Sequence, residues 1–272
     1  PQLVFHFFYL LSMDFFQLWC NGFLICMVLL TALWLVSVYF KNASIIDPFW
    51  GMGFIVLMLY YLFFAGNFTT RSILLSALVI IWGLRLSIFL FWRNLGHGED
   101  YRYQQFRKDY GADRYWWISF FQVFLLQGVL MSLVAVPLLG TALNSSSGPL
   151  TFLDYFAVVV WLIGIAFEAG GDYQLTTFKR NEMNKGKVLD TGFWKYTRHP
   201  NYFGDATVWW SFGLFAFVSG SYFTLLGSLL MNILLLKISG VSLLERTLKT
   251  TKPQYVEYMK KTNSFFPWFL KK

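Results

Sequence analysis

Apolar stretches of about 20 residues, each enough to cross the hydrocarbon core of a bilayer, recur along this chain and restrict its fold more than any other feature. Seven can be read, at roughly 20–40, 49–66, 72–92, 117–143, 150–178, 204–219 and 222–241. Charged residues make up only 13% of the chain, about half the share usual in a soluble domain. Residues 1–272 are therefore expected to form a single transmembrane domain, an all-α, polytopic integral membrane bundle of about seven helices.

The basic residues set the expected orientation. Segment 93–115 contains Arg93, Arg102, Arg107, Lys108 and Arg114, and segment 179–198 contains Lys179, Arg180, Lys185, Lys187, Lys195 and Arg198. The tail carries Lys237, Arg246, Lys249, Lys252, Lys260, Lys261, Lys271 and Lys272, and Lys41 precedes the second span. With seven spans all of these fall on one side, which the positive-inside rule makes cytoplasmic. The N-terminus is then outside and the C-terminus inside, in a bacterial inner membrane or the endoplasmic reticulum. The net charge of +8 needs no nucleic acid as partner: a basic face fits anionic lipid, or a phosphorylated cosubstrate.

Several chemistries have no support. Cys20 and Cys26 sit six apart in an apolar helix on poorly matched faces, so neither a disulfide nor a metal site follows. His6, His97 and His199 are too scattered for a zinc cluster, and the glycine-rich fingerprints of soluble nucleotide-binding folds are missing.

Ionisable residues within or beside the spans are the candidates for function, because each is costly in lipid and faces the bundle interior or a polar cavity. Asp47-Pro48 reads as a helix start, with Asp47 as N-cap and Pro48 at the first helical position; Asp47 is also placed, with Trp50, to face a cavity and touch substrate. Arg85 lies within the third span, where an ion pair with Asp47 or a fifth-span carboxylate competes with a ligand role. In the fifth span, Glu168, Asp172, Thr176 and Lys179 share one helical stripe. The run from Glu168 to Asp205 also holds Lys187, Arg198, His199 and Asn201, a density of polar groups that points to a polar cosubstrate. Pro200 marks a helix start, whose unpaired N–H groups and positive dipole end suit a phosphate or carboxylate. Arg198 would add a forked donor to the same anion, while His199 alone reads equally well as a satisfied interfacial histidine. Asn201 and Asp205, four apart on one face, can take amide or hydroxyl groups.

These residues carry a resemblance. Ser44-Ile-Ile-Asp47-Pro-Phe-Trp50-Gly51, Trp82-Gly-Leu-Arg85-Leu, Asp172 with Phe178-Lys179, and Leu189-Asp-Thr-Gly192-Phe-Trp-Lys-Tyr-Thr-Arg198-His-Pro-Asn-Tyr-Phe-Gly204-Asp205 form its main part. Ser239-Gly-Val, Tyr255, Tyr258 and Phe266-Pro267 complete it. The chain thereby resembles, over about residues 40–268, the steroid 5α-reductase / isoprenylcysteine methyltransferase superfamily of membrane enzymes. It is most similar to the small reductase-like DUF1295 branch.

The resemblance implies NADPH as cofactor, with Asp172 and Lys179 matching a D-x(6)-R pattern in which Lys replaces Arg. Asn201, Tyr202, Gly204 and Asp205 match the run that follows in those enzymes, Lys187 falls at a basic position, and Glu168 stands where they keep an amide. It further implies a lipid-substrate half at about 1–115 and a cofactor-binding half at about 116–272. The expected activity is hydride transfer from NADPH to a C=C bond of a lipid-like small molecule: a steroid, an isoprenoid or an acyl chain. Asp47 or Arg85 would orient or protonate it, and Trp50 and Trp82 would contact it. The steroid reductases carry a Gln-Glu pair where this chain has Ile46-Asp47, and a catalytic tyrosine near the position of Trp82, so their proton donor has no counterpart in the motif. The second reading is a lipid or isoprenyl-cysteine methyltransferase using S-adenosylmethionine, its pocket closed by Glu245-Arg246, Tyr255 and Tyr258. The third is a non-catalytic lipid-binding membrane protein.

Overall fold

The computed structural model describes residues 14–238 and 240–270; His6, Ser239, Lys271 and Lys272 lie outside them. The described residues contain helices and no strand. Five segments are long and apolar enough to cross a membrane: Phe15–Phe40 (α1), Ala43–Ala65, Thr70–Asn94 (α3), Ala112–Asn144 and Phe152–Arg180 (α8). They correspond to the first five stretches read from the sequence. The sixth falls within α9, Pro200–Val218, and the seventh within the shorter apolar segment Tyr222–Ile238. Two more helices, Val241–Thr251 (α11) and Gln254–Lys261 (α12), follow α10 at Leu225–Ile233.

Local chemistry sets the helix ends. Asp14 accepts from Gln17 N at 2.7 Å to start α1, and Thr69 accepts from Ser72 N to start α3. Thr151 and Asp154 form a reciprocal capping box on α8. One expected cap is corrected. The helix α2, Phe49–Ala65, is preceded by Pro48 with no side-chain cap, and Asp47 ends a short 3₁₀ turn at Ala43–Ile46. Its carboxylate instead accepts a hydrogen bond from a tyrosine hydroxyl.

The chain divides into two compact units, residues 1–150 with 216–224, and residues 151–215 with 225–272. In the first unit, α2 and α3 touch backbone to backbone: a Cβ on Gly51 would lie 2.2 Å from Gly83 O, and one on Gly83 would lie 2.6 Å from Gly51 O. Small residues are what permit this approach where helices pack in lipid. Segment Ala112–Asn144 is continuous but irregular, with α5 (Ala112–Ser119), a π turn at Phe120–Leu125, α6 (Leu126–Val134) and α7 (Val136–Asn144). The connection to it runs through α4, Tyr101–Tyr110. Outward-facing Phe16 and Val28 on α1 are each 69% exposed, as a lipid-facing helix requires.

In the second unit, α8 and α9 make the same kind of contact: a Cβ on Gly204 would lie 2.3 Å from Glu168 N and 2.5 Å from Gly164 O. Ser211 Oγ donates to Ala157 O along the same seam. The loop between the two helices folds back onto α8, where Trp194 Nε1 donates to Gly171 O at 3.1 Å and Gln174 Oε1 accepts from Phe193 N at 3.0 Å. The C-terminal tail is laced to this loop, with Arg198 N donating to Asn263 O, Thr197 Oγ1 to Phe265 O and Trp268 N to Tyr196 O.

A methyl group at either seam meets backbone, which no rotamer change relieves. Gly83→Ala and Gly204→Ala are each expected to destabilise the protein by about 1–3 kcal/mol, read as a lower unfolding temperature in detergent. Gly148→Ala, whose Cβ would meet nothing nearer than 3.9 Å, leaves that temperature unchanged.

Candidate functional site

Polar side chains gather into two clusters, one inside each unit. In the first unit, Asp100 starts α4 by accepting from Arg102 N at 3.0 Å, which aims Arg102 and Tyr103 at the 3₁₀ turn of residues 43–46. Asp100 N donates to Ser44 Oγ at 2.6 Å, and Glu99 Oε1 accepts from Ala43 N at 2.8 Å. Tyr103 Oη then donates to Asp47 Oδ1 at 2.8 Å, and Arg102 lies 3.3 Å from Asp47 Oδ2. Gln127 Nε2 donates to Tyr103 Oη at 3.3 Å while its Oε1 accepts from Trp50 Nε1 at 2.6 Å. A continuous relay results: Trp50, Gln127, Tyr103, Asp47, Arg102. Burial and the adjacent Asp47 charge raise Tyr103 above the ordinary phenol range, so its proton stays in place at neutral pH. Burial works against the Asp100 carboxylate, but hydrogen bonds from Arg102 hold it below the usual range.

Asp47 and Trp50 are thus brought together as expected. Trp82 and Arg85 are the other two first-unit candidates. Trp82 is fully buried, its ring 5.9 Å from that of Phe54, so it packs the helix seam. Arg85 is half-buried with its guanidinium 5.3 Å from the Phe89 ring centre, and the cation paired with Asp47 is Arg102. Tyr103, Gln127 and the pairing role of Arg102 were missed by sequence reading. The one local signal was the Asp100 cap, which fixes the direction of the two residues after Tyr101.

In the second unit the expected stripe on α8 is present and runs from interior to surface: Glu168 and Asp172 are buried, Thr176 is half-buried and Lys179 is exposed. Asp172 Oδ1 accepts from Asn201 Nδ2 at 3.1 Å. Asp205, one turn further along α9, is half-buried. Lys187 is exposed, and its carbonyl accepts from Lys252 Nζ at 2.6 Å. Tyr202 stacks on the His199 ring at 5.7 Å.

Arg198 differs from its expected role as an open anion donor. Its guanidinium is 6% exposed and closes on Glu245 Oε1 through Nε at 2.8 Å and Nη2 at 2.7 Å. Nη1 donates to the carbonyls of Met259 and Thr262. The fork therefore ties the loop to α11 and α12, since a buried guanidinium satisfies its donors on whatever acceptors the tail brings to it. His199 Nε2 lies 3.3 Å from the same Glu245 oxygen. Burial lowers His199 below the ordinary histidine range against the pull of Glu245, with Arg198 adding to the lowering, so it is neutral at pH 7. Burial opposes ionisation of Glu245, yet the bonds from His199 and Arg198 hold it below the usual carboxylate range.

The model of the protein family of unknown function DUF1295 matches residues 33–262. The chain belongs to the DUF1295 family. That match takes in both clusters of this DUF1295 protein, from Asp47 to Tyr258. An uncharacterized protein of Schizosaccharomyces pombe is 25% identical, over 90% of this chain and 78% of its own length. No solved structure matches. With its long apolar helices, this DUF1295 member is a multi-pass integral membrane protein.

Both groups of the Glu245 cluster make stability depend on acid. The unfolded state takes up a proton at His199 from its ordinary value of 6.5 downward, while the folded state does not until lower pH, so stability falls as pH falls below that value. Glu245 adds a further loss as pH drops from 4.5 through its lowered value. Between about pH 7.5 and 5.5 the unfolding temperature is expected to decline in the wild type and to stay level in His199→Gln.

Proposed function

We propose that this protein is an NADPH-dependent reductase of a C=C bond in a lipid-like substrate, held in the bilayer by seven spans with a cytoplasmic C-terminus. The observation that carries the reading is the Asp172–Asn201 hydrogen bond at 3.1 Å, which joins a buried acid to a half-buried amide, with exposed Lys179 on the same helix stripe as Asp172 and exposed Lys187 in the loop that follows. An acceptor carboxylate and an amide suit ribose hydroxyls and a carboxamide, and exposed lysines suit phosphates. The donor set therefore fits a phosphorylated dinucleotide. NADPH, when bound, supplies a hydride.

The residues do the rest. Asp172, Asn201 and Asp205 bind hydroxyl and amide groups; Lys179 and Lys187 neutralise phosphates. Glu168 keeps a second carboxylate on the same helix stripe, and Tyr202 and His199 supply a stacked aromatic wall. Arg198 acts as a positioning residue, holding the start of α9 through Glu245. In the first unit, Tyr103 keeps a proton on its hydroxyl, which donates to Asp47 Oδ1. Trp50 reaches the same relay through Gln127. The likeness to the steroid 5α-reductase superfamily supports the same assignment.

A second reading, methyl transfer from S-adenosylmethionine, is favoured by the gathering of Glu245 with Arg198 beside Tyr255 and Tyr258, whose rings lie 5.7 Å apart. Charge discriminates: exposed Lys179, Arg180, Lys185 and Lys187 answer several phosphates, whereas S-adenosylmethionine carries none.

Thermal shift on the detergent-purified protein separates the readings. NADPH at about 100 times its dissociation constant is expected to stabilise by roughly 2.7 kcal/mol, with no shift from S-adenosylmethionine. Lys179→Ala and Lys187→Ala, both at exposed positions, are each expected to weaken NADPH about tenfold through loss of one charge-assisted contact. A shift with S-adenosylmethionine alone overturns the reductase reading; a shift with no ligand leaves the lipid-binding protein.

A further inference from the structure

Beside the cluster at Arg198, the second unit has an open groove of about 480 Å³ between Ile163 and Phe167 of α8, Phe203 of α9, and Phe266, Pro267 and Trp268 of the tail. Its lining is almost wholly apolar. It shares Phe266 with a neighbouring hollow of about 460 Å³, bounded by Arg198, Asn263 and Ser264, whose lining is half polar. An apolar slot thus adjoins a half-polar hollow across the Phe266 ring, each within the size range of small-ligand pockets.

The slot is held open by construction. The hydrogen bonds from Trp268 N to Tyr196 O and from Thr197 Oγ1 to Phe265 O fix the tail, yet Phe266 is left 70% exposed and Trp268 66%. Aromatic residues in such positions mark the level of a bilayer interface. Two basic residues stand close to the mouth along the chain. Lys195, whose carbonyl accepts from Thr262 Oγ1, and Lys261, the residue before Thr262, are both exposed. Two acids of the same helices pair with other cations, Glu257 with Lys260 and Glu245 with Arg198.

We propose that this groove seats one acyl chain of an anionic phospholipid of the surrounding bilayer, with the phosphate at the mouth beside Lys195 and Lys261. The proposal stands apart from the cofactor reading: none of these groups is assigned to NADPH except Arg198, and that only as a structural clamp. A chain in the groove covers Phe266 and Trp268, while the headgroup meets the two exposed lysines.

The test uses the full chain in nonionic detergent, offered phosphatidylglycerol or phosphatidylcholine with identical chains and weighed intact by native mass spectrometry. One phosphatidylglycerol is expected to stay bound in preference to phosphatidylcholine. Lys195→Glu and Lys261→Glu are each expected to cut that preference at least about fivefold, the ratio set by one basic residue near an anionic headgroup. Ile163→Trp, which fills the slot, is expected to abolish retention. A second measurement on the unaltered protein covers misfolding of that variant: phosphatidylglycerol with a photoreactive chain end should label peptides containing Ile163–Phe167 or Phe203. Equal retention of the two lipids, unmoved by the lysine changes, overturns the proposal. Label spread along exposed α1 with none in the groove also overturns it, as does a second copy of the chain crosslinked there.

Discussion

Inside a hydrocarbon layer no water is available to a backbone N–H or C=O, so a spanning segment must satisfy its own groups, and any break in a helix must be answered by side chains. Both polar clusters sit where the chain passes from one apolar helix to the next and buried backbone groups meet the same demand. Where the chain leaves α1 and enters α2, Ser44 N finds Asn42 Oδ1, Ala43 N finds Glu99 Oε1, and Ser44 Oγ takes Asp100 N. The groups that satisfy this turn are the residues that bring Tyr103 and Arg102 to Asp47. Where the chain leaves α8 and enters α9, Trp194, Thr197 and Arg198 find Gly171 O, Phe265 O and the Glu245 carboxylate in the same way. The candidate site residues are thus also the groups that satisfy the backbone where one helix gives way to the next.

Close backbone approach is the second condition. Gly204 lies against Glu168 N, and a Cβ on Gly171 would lie 3.1 Å from Asn201 N. That spacing sets the start of α9 beside the polar stripe of α8, so an asparagine amide can reach Asp172. A larger residue at Gly204 would separate the two ends of that bond before it touched either polar group. The glycines at this seam are therefore part of the site, although they offer no chemistry.

The sequence made the helices legible because length and apolarity alone decide them, and the first five stretches reappear within a few residues. The polar stripe Glu168–Lys179 was legible for the same reason: it depends only on helical period. What escaped was everything fixed by contact between distant segments. Tyr103 meets Asp47 across 56 residues and Arg198 meets Glu245 across 47, and neither spacing leaves a local trace. Asp47-Pro48 carried a strong cap signal that was outcompeted by a tertiary partner. Trp82, chosen for its place beside Arg85, is a ring of the helix seam. The π turn at Phe120–Leu125 is also silent in sequence, although it rotates the face on which Gln127 meets Trp50 and Tyr103.

Arg198 shows why charge placement counts for more than charge number. Six basic residues lie between 179 and 198, and all six could be assigned to phosphates. One of them is buried against a carboxylate and two carbonyls, so its charge is already answered; an anion at that point would have to displace Glu245 and strand it in a poorly solvated place. The others, Lys179, Arg180, Lys185, Lys187 and Lys195, are exposed. They fall into two groups. Lys179 and Arg180 end α8, the helix that carries Asp172, and Lys185 and Lys187 follow in the loop; these are the cations that the proposed dinucleotide reading assigns to phosphates. Lys195 stands instead at the mouth of the apolar groove, beside Lys261. Under the two proposals, a single basic segment serves two anions of different chemistry, a soluble one at the end of α8 and a lipid one at the tail, with the Arg198–Glu245 pair tying the loop to the tail.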